Sequence, residues 1–437
     1  MVMPSSVPAE DLVGLTLLQL AVIVLAARAG GTLALRYGQA AAVGEILVGI
    51  LLGPSGFGAV APHSFHALFS PATNVPLTIL AQLGLVLLMF QVGLEFEFSH
   101  LRDAAYRRMA FWVALVSLVL PFVLGFAFGL ATADHLAPGV PPWATALFIG
   151  TALAITALPI LGRILVDFGM TRCPVGVIAI TAAAINDVAG WLMLAVITEL
   201  VTAHFSLARF AVRLVLIAAF ALVWLFLLRP LMRRGIRRLQ SSGEDLSPSL
   251  LGLVLALVFL SGAITYRLGI FAIFGGFLMG VVLHQEERFV RAWRAQIGPL
   301  VAVLFLPVFF TYTGLRTQVE GLNSLPLWID CLVLAVLATV GKWGGAYGAA
   351  RLTGLDHPEA GILGALMNTR ALMELIVTNV GYDLRAITAP VFTMLVLIAV
   401  FSTVITSPFL RRLRRRAHPP MVGLPVIARE SGQVPRP

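Results

Sequence analysis

Apolar runs of about twenty residues recur from one end of this chain to the other, divided by short polar breaks. A helix of that length matches the hydrocarbon thickness of a bilayer. About 13 such spans can be drawn, at roughly 12–35, 39–57, 76–95, 108–131, 143–166, 173–199, 206–231, 248–266, 269–284, 297–315, 326–351, 359–380 and 387–410. A span that was not helical would leave its backbone polar groups unsatisfied in lipid, so the pattern predicts an all-α polytopic membrane protein.

Composition agrees. Of 437 residues, 59% are hydrophobic and 12% charged, which excludes an ordinary soluble domain. The net charge of +9 could suggest nucleic acid, but the placement of the arginines argues against it. One set of loops holds Arg36, Arg102, Arg107, Arg108, Arg172, Arg233, Arg234, Arg237, Arg238, Arg288, Arg291, Arg294 and Arg351, then Arg411 to Arg416. The opposite set holds at most Arg209, Arg267, Arg316 and Arg385. The positive-inside rule then needs an odd number of spans, with the N-terminus outside and the C-terminus cytoplasmic, in a cell inner membrane. The opening MVMPSSVPAED lacks the basic start of a cleavable signal, so residues 1–11 read as an extracytoplasmic N-terminus. Residues 12–410 form the membrane domain, and 411–437 a basic, disordered tail. Cys173 and Cys331 have no metal spacing, and the chain shows no phosphate loop, so no cofactor is expected. The spacings Gly276–Gly280 and Gly344–Gly348 suggest tight helix packing.

Candidate chemistry lies in the few ionisable residues within spans. A charge at the bilayer centre costs about 2.5–3.5 kcal/mol, so each should face a partner or a water-filled cavity. Asp187 sits mid-way along the sixth span, beside Asn186, and is the only acid between Arg172 and Thr198. Lys342, the only lysine, lies in the eleventh. Arg370 and Glu374, four apart in the twelfth, could neutralise each other. Glu45 in the second span could orient a short helix, and Arg163 reads as interfacial and snorkelling. A packing salt bridge is the plainer reading for any of these taken alone.

Two stretches also break helix rules. In TALAITALPILGR, Pro159 interrupts the fifth span, where Thr151 and Thr156 can serve freed backbone groups. In LMNTRALMEL, Asn368, Thr369 and Arg370 interrupt the twelfth. The two spans are seven apart and so run in opposite directions. Interrupted helices at matching places of inverted halves point to a transporter's ion site near the midplane.

The run ITALPILGRILVDFGMTRCPVGVIAITAAAINDVAGWLMLA resembles the fifth and sixth helices of the plant cation/proton exchangers and their bacterial relatives. These form the second branch of the monovalent cation:proton antiporters, with the Kef-type systems. GEILVGILLGPSGFG, FGGFLMGVVL, LPVFFTYTGL and MNTRALMELIVTNVG resemble further signatures of that family. The resemblance implies a sodium/proton antiporter fold: 13 helices in two inverted repeats with crossed discontinuous helices. A core bundle, about 108–199 and 326–410, would move against dimerising scaffold helices, about 12–95 and 248–315. It implies that Asp187 binds proton or monovalent cation, that Asn186 is its paired neighbour and that Thr156 lends a ligand. Lys342 would be the basic partner, and Arg370 would steady the twelfth-helix break. Ala371 departs from the family's usual glycine. No nucleotide-binding regulatory domain is expected.

Implied with this is a cation (K⁺ or Na⁺, potassium slightly favoured)/proton antiporter, a homodimer and not an enzyme. Burial disfavours the ionised Asp187 and a neighbouring Lys342 would favour it. One site that holds either a proton or a cation exchanges them. With asparagine at 186 a single carboxylate titrates there, favouring one-for-one exchange unless Lys342 also releases a proton. Competing readings are a sodium-coupled symporter of an organic anion, an intramembrane enzyme and a non-transporting regulatory protein.

Overall fold

The computed structural model describes residues 9–70, 73–94, 104–170, 173–202, 207–239, 246–268, 271–370 and 372–414. Ala371, Arg102, Arg172 and residues 415–437 lie outside the described residues, as do the side chains of Pro159, Arg163, Arg209, Arg237 and Arg238.

The chain is built from helices. The first part holds α1 (Ala9–Arg36), α2 (Ala41–Leu51), α3 (Pro62–Leu68), α4 (Asn74–Leu94), α5 (Ala104–Leu136), α6 (Pro142–Ala154), α7 (Leu158–Asp167) and α8 (Pro174–Thr202). Next come α9 (Leu207–Leu222), α10 (Arg229–Leu239), α11 (Pro248–Arg267), α12 (Ala272–Leu283), α13 (Glu287–Gln296), α14 (Gly298–Leu300) and α15 (Leu306–Leu315). The last are α16 (Leu325–Thr339), α17 (Gly345–Leu352), α18 (His357–Met367), α19 (Leu372–Asp383) and α20 (Ala389–Arg414).

Local chemistry marks the ends. Proline opens α3, α6, α8 and α11, where its missing N–H is not needed. Ser247 and Asp356 cap α11 and α18 by accepting from the N–H groups of Leu250 and Glu359. Past α1 and α17 the chain turns through Gly38 and Gly354, both in the left-handed region that favours glycine.

Among the described residues, ten helices are long and apolar enough to cross a membrane. Three shorter apolar helices, α2, α6 and α12, stand where the second, fifth and ninth spans were drawn. α6 is short because the fifth span breaks and resumes as α7. One set of helices packs α1 on α2, α4 on α12, α11 on α12, and α15 on both α2 and α4. Another packs α5 on α6, α8 and α17, α18 on α8 and α20, and α19 on α6 and α20. Of the described residues, 360–370 of α18 and its break and 372–379 of α19 are all buried, as the centre of a bundle must be.

One packing expectation holds and two others need correction. Gly276 and Gly280 do permit a close crossing, since a methyl there would strike the Val86 and Phe90 carbonyls. Gly344 and Gly348, however, face open space. The chain at 411–414 is helix rather than tail, because α20 continues through Arg411 and Arg412, past the apolar stretch.

Candidate functional site

The site is organised by two interrupted helices that touch. After α6 the chain leaves helical geometry at Ile155, whose backbone is extended, and re-enters it at Leu158. The second interruption follows α18, which ends at Met367, and helix resumes at Leu372. The breaks cross at the backbone, where the Ala157 N–H donates to the Thr369 carbonyl at 3.1 Å.

Each break exposes the C-terminal carbonyls of one half-helix and the N-terminal N–H groups of the next. Cations favour the first and anions the second. The residues comply. Lys342 Nζ donates to the carbonyl of Ala154, the last residue of α6. Asp187 in mid-α8 lies against the N-terminus of α7, hydrogen-bonded by the Leu158 backbone. Arg370 follows the C-terminus of α18, and Glu374 lies in the first turn of α19.

Asp187 is 3% exposed and its Oδ1 has no hydrogen-bond partner among the described residues. A buried acceptor left so is uncommon and calls for an explanation. Asn186, equally buried, donates from Nδ2 to Thr156 Oγ1 at 3.3 Å and to Ser117 Oγ at 3.1 Å. It thereby ties α8 to the first break and to α5. Lys342 is fully buried and lies within electrostatic reach of both Asp187 and Glu374. It stands on a π-helical turn, Val340–Gly344, that joins α16 to α17. Such turns recur at functional sites because they re-aim a side chain. Arg370 Nη2 donates to the Ala338 carbonyl, two residues before that segment, and its Nη1 lies 4.0 Å from Glu374 Oε2.

The structure therefore gathers Asp187, Asn186, Thr156, Lys342, Asn368, Thr369, Arg370 and Glu374 around one crossing. Thr151 and Pro159 stand apart in role. Thr151 Oγ1 donates back to Leu147 inside α6, so it serves an intact turn and not the break. Pro159 is the second residue of α7; with no N–H to give the Ile155 carbonyl, it cannot continue the α6 ladder, and the chain yields in the turn before it. Glu45 is buried in α2, away from this crossing on the other set of helices.

Two features escaped the sequence reading. Ser117 is the sole hydroxyl between Met109 and Pro121, a faint signal available in the sequence. The other ties α15 to α19. Arg316 Nη1 meets Asp383 Oδ1 at 2.6 Å, its guanidinium lies 4.2 Å from the Tyr312 ring centre, and Asn379 Nδ2 donates to Thr313 Oγ1 at 3.0 Å.

Comparison with known proteins agrees with this architecture. The profile of the sodium/hydrogen exchanger transmembrane family matches residues 21–413. A Na(+)/H(+) antiporter of Synechocystis, NhaS4, is 36% identical over 402 residues, covering 91% of this chain and 97% of the relative. Cation/H(+) antiporter 18 of Arabidopsis thaliana is 33% identical over 92% of this chain, which spans about half, 49%, of that longer protein. The solved sodium proton antiporter MjNhaP1 of Methanocaldococcus jannaschii superposes with a TM-score of 0.65 at 16% identity, covering 91% of this chain and 97% of its own, which shows the shared fold. With a match across nearly its whole membrane-spanning length, this chain belongs to the sodium/hydrogen exchanger transmembrane family.

Proposed function

We propose that the protein exchanges a monovalent cation, K⁺ or Na⁺, for a proton across the membrane, with the two competing for Asp187. The family is one of exchangers, not enzymes. The observation that carries the reading is the unpartnered carboxylate oxygen of Asp187, enclosed where two half-helices cross. Protonated, Asp187 is neutral and the crossing admits no cation. Ionised, it attracts one, with the Thr156 hydroxyl and break carbonyls offering hard oxygens in place of water.

Asp187 is enclosed in this conformation, so exchange needs a movement that opens it to each side in turn. The helices bearing the site, α5 to α8 and α16 to α20, would move against α1, α2, α4, α11, α12 and α15 as scaffold. The protein would act as a homodimer of 13-span subunits in an inner membrane, N-terminus out. Relatives named for Na⁺ exchange and for K⁺ exchange both match this chain. The test is proton movement read by a pH dye in proteoliposomes, with K⁺, Na⁺ and Li⁺ titrated separately. Asp187→Asn should abolish cation-dependent proton movement while the protein still inserts; exchange retained in that variant would remove Asp187 from the role.

A further inference from the structure

Both interrupted helices carry a threonine at the same place. Thr156 stands two residues past Ala154, the end of α6, and Thr369 two past Met367, the end of α18. In the first break the hydroxyl is used, since Thr156 Oγ1 accepts from Asn186 Nδ2. In the second it is not: Thr369 is fully buried, and its Oγ1 has no hydrogen-bond partner among the described residues. Its neighbour Asn368 is 1% exposed, and neither end of its amide has a partner among them. The plainer task for a buried threonine is to bond back to the carbonyl four residues earlier. Thr132, Thr151, Thr313 and Thr378 all do so. Thr369 does not, and unpaired polar atoms on two adjacent buried residues at a helix break call for a ligand.

The backbone brings these residues to Asp187. Three consecutive residues of the first break each meet a different part of the crossing. Thr156 holds Asn186, the Ala157 N–H donates to the Thr369 carbonyl at 3.1 Å, and the Leu158 backbone bonds Asp187. Thr369 is thus tied to the residue that lies between the two holding Asn186 and Asp187. α18, which leads into the second break, also packs along α8, the helix that bears Asp187. Asp187 Oδ1 has no partner among the described residues either. A proton needs only that oxygen. A cation stripped of its water needs several oxygens around it, and hydroxyl and amide oxygens are neutral hard donors that suit it.

We propose that Thr369 Oγ1 and Asn368 Oδ1 are cation ligands, supplied by the second break to complete the shell that Asp187 and Thr156 begin, and that they set which monovalent cation the site accepts. This assignment rests on Asp187 being the exchanging carboxylate. Each break then contributes one threonine hydroxyl, and the cation is held between them. Only the cation uses the oxygens of the second break, so these two residues act on cation affinity and leave proton binding alone. Li⁺, Na⁺ and K⁺ differ in the oxygen spacing and number they require, so loss of one donor weakens them unequally.

When proton and cation compete for one carboxylate, the half-saturating cation concentration rises linearly with proton concentration. The intercept is the cation's own constant, and the ratio of intercept to slope is the proton's. Both are read by pH dye in proteoliposomes, for Li⁺, Na⁺ and K⁺ in turn. Thr369→Val keeps the shape and removes the hydroxyl. It should raise the intercept about tenfold for the best-bound cation and by different factors for the others, with the intercept-to-slope ratio unchanged. Asn368→Leu should likewise raise the three intercepts unequally, and Thr369→Ser should restore wild-type values. Unchanged intercepts in either the valine or the leucine variant, an equal rise for all three cations, or a shifted proton constant would overturn the inference. If Thr369→Val is monodisperse but inactive, wild-type intercepts in Thr369→Ser support it and an inactive Thr369→Ser refutes it. Exchange surviving in D187N would instead strike at the antiport site itself.

Discussion

Lys342 offers the sharpest energetic test of the crossing. Replacing it with methionine keeps a similar volume and apolar stem but removes the ammonium. Two losses follow. The Ala154 carbonyl, at the end of α6, loses its donor, at about 1–3 kcal/mol for a buried acceptor left unpaired. Asp187 loses the cation that balances it, and breaking a buried pair from one side costs about 3–5 kcal/mol. Adding Asp187→Asn to K342M removes the stranded charge but does not restore the Ala154 donor. The double variant should therefore be more stable than K342M alone, by about 3 kcal/mol, on the order of a hundredfold in the unfolding equilibrium. The assay is a double-mutant cycle on purified protein in mixed micelles, unfolded by detergent titration and followed by tryptophan fluorescence. A double variant whose loss equals the sum of the two single losses would show that Lys342 and Asp187 do not compensate each other, and the electrostatic account of the site would fail.

Other outcomes follow from the same geometry. Ser117→Ala leaves Asn186 held by Thr156 alone, so the half-saturating cation concentration should rise about fivefold, the equivalent of about 1 kcal/mol for one neutral hydrogen bond, with the maximal rate kept; an unchanged concentration would discount Ser117. Gly314→Ala should lower thermal stability by about 1–3 kcal/mol, because the new methyl would collide with the Gly49 backbone where α15 crosses α2. Gly348→Ala, facing open space, should be neutral, and equal melting temperatures for the two variants would contradict the packing described. Asp383→Asn, on a partly exposed ion pair, should cost no more than about 1 kcal/mol and less at high salt.

Much of this protein was legible before any coordinates. Lipid leaves the backbone one economical solution, so apolar runs of sufficient length specify helices directly. An ionisable side chain in such a run costs enough that Asp187, Lys342, Arg370 and Glu374 stand out as the places where chemistry resides. The interrupted twelfth span was visible in Asn368, Thr369 and Arg370 for the same reason. Partnership was not legible. Sequence spacing alone could not say that Ala157 would meet Thr369, that Lys342 would cap α6, or that Ser117 would join Asn186. It tied the fifth-span interruption to Pro159, and the chain does yield in the turn before that residue, at 155–157, but it could not say that the Thr369 carbonyl would accept the Ala157 N–H freed there. It suggested that Arg370 and Glu374 could neutralise each other through their spacing of four, and they do pair at 4.0 Å, but it could not show that the guanidinium also reaches the Ala338 carbonyl. The cost of burying a polar group is a property of the residue and its own stretch of chain, and so is written in the sequence. Which groups offset that cost depends on contacts between residues some thirty to two hundred positions apart, and only the packed bundle decides those.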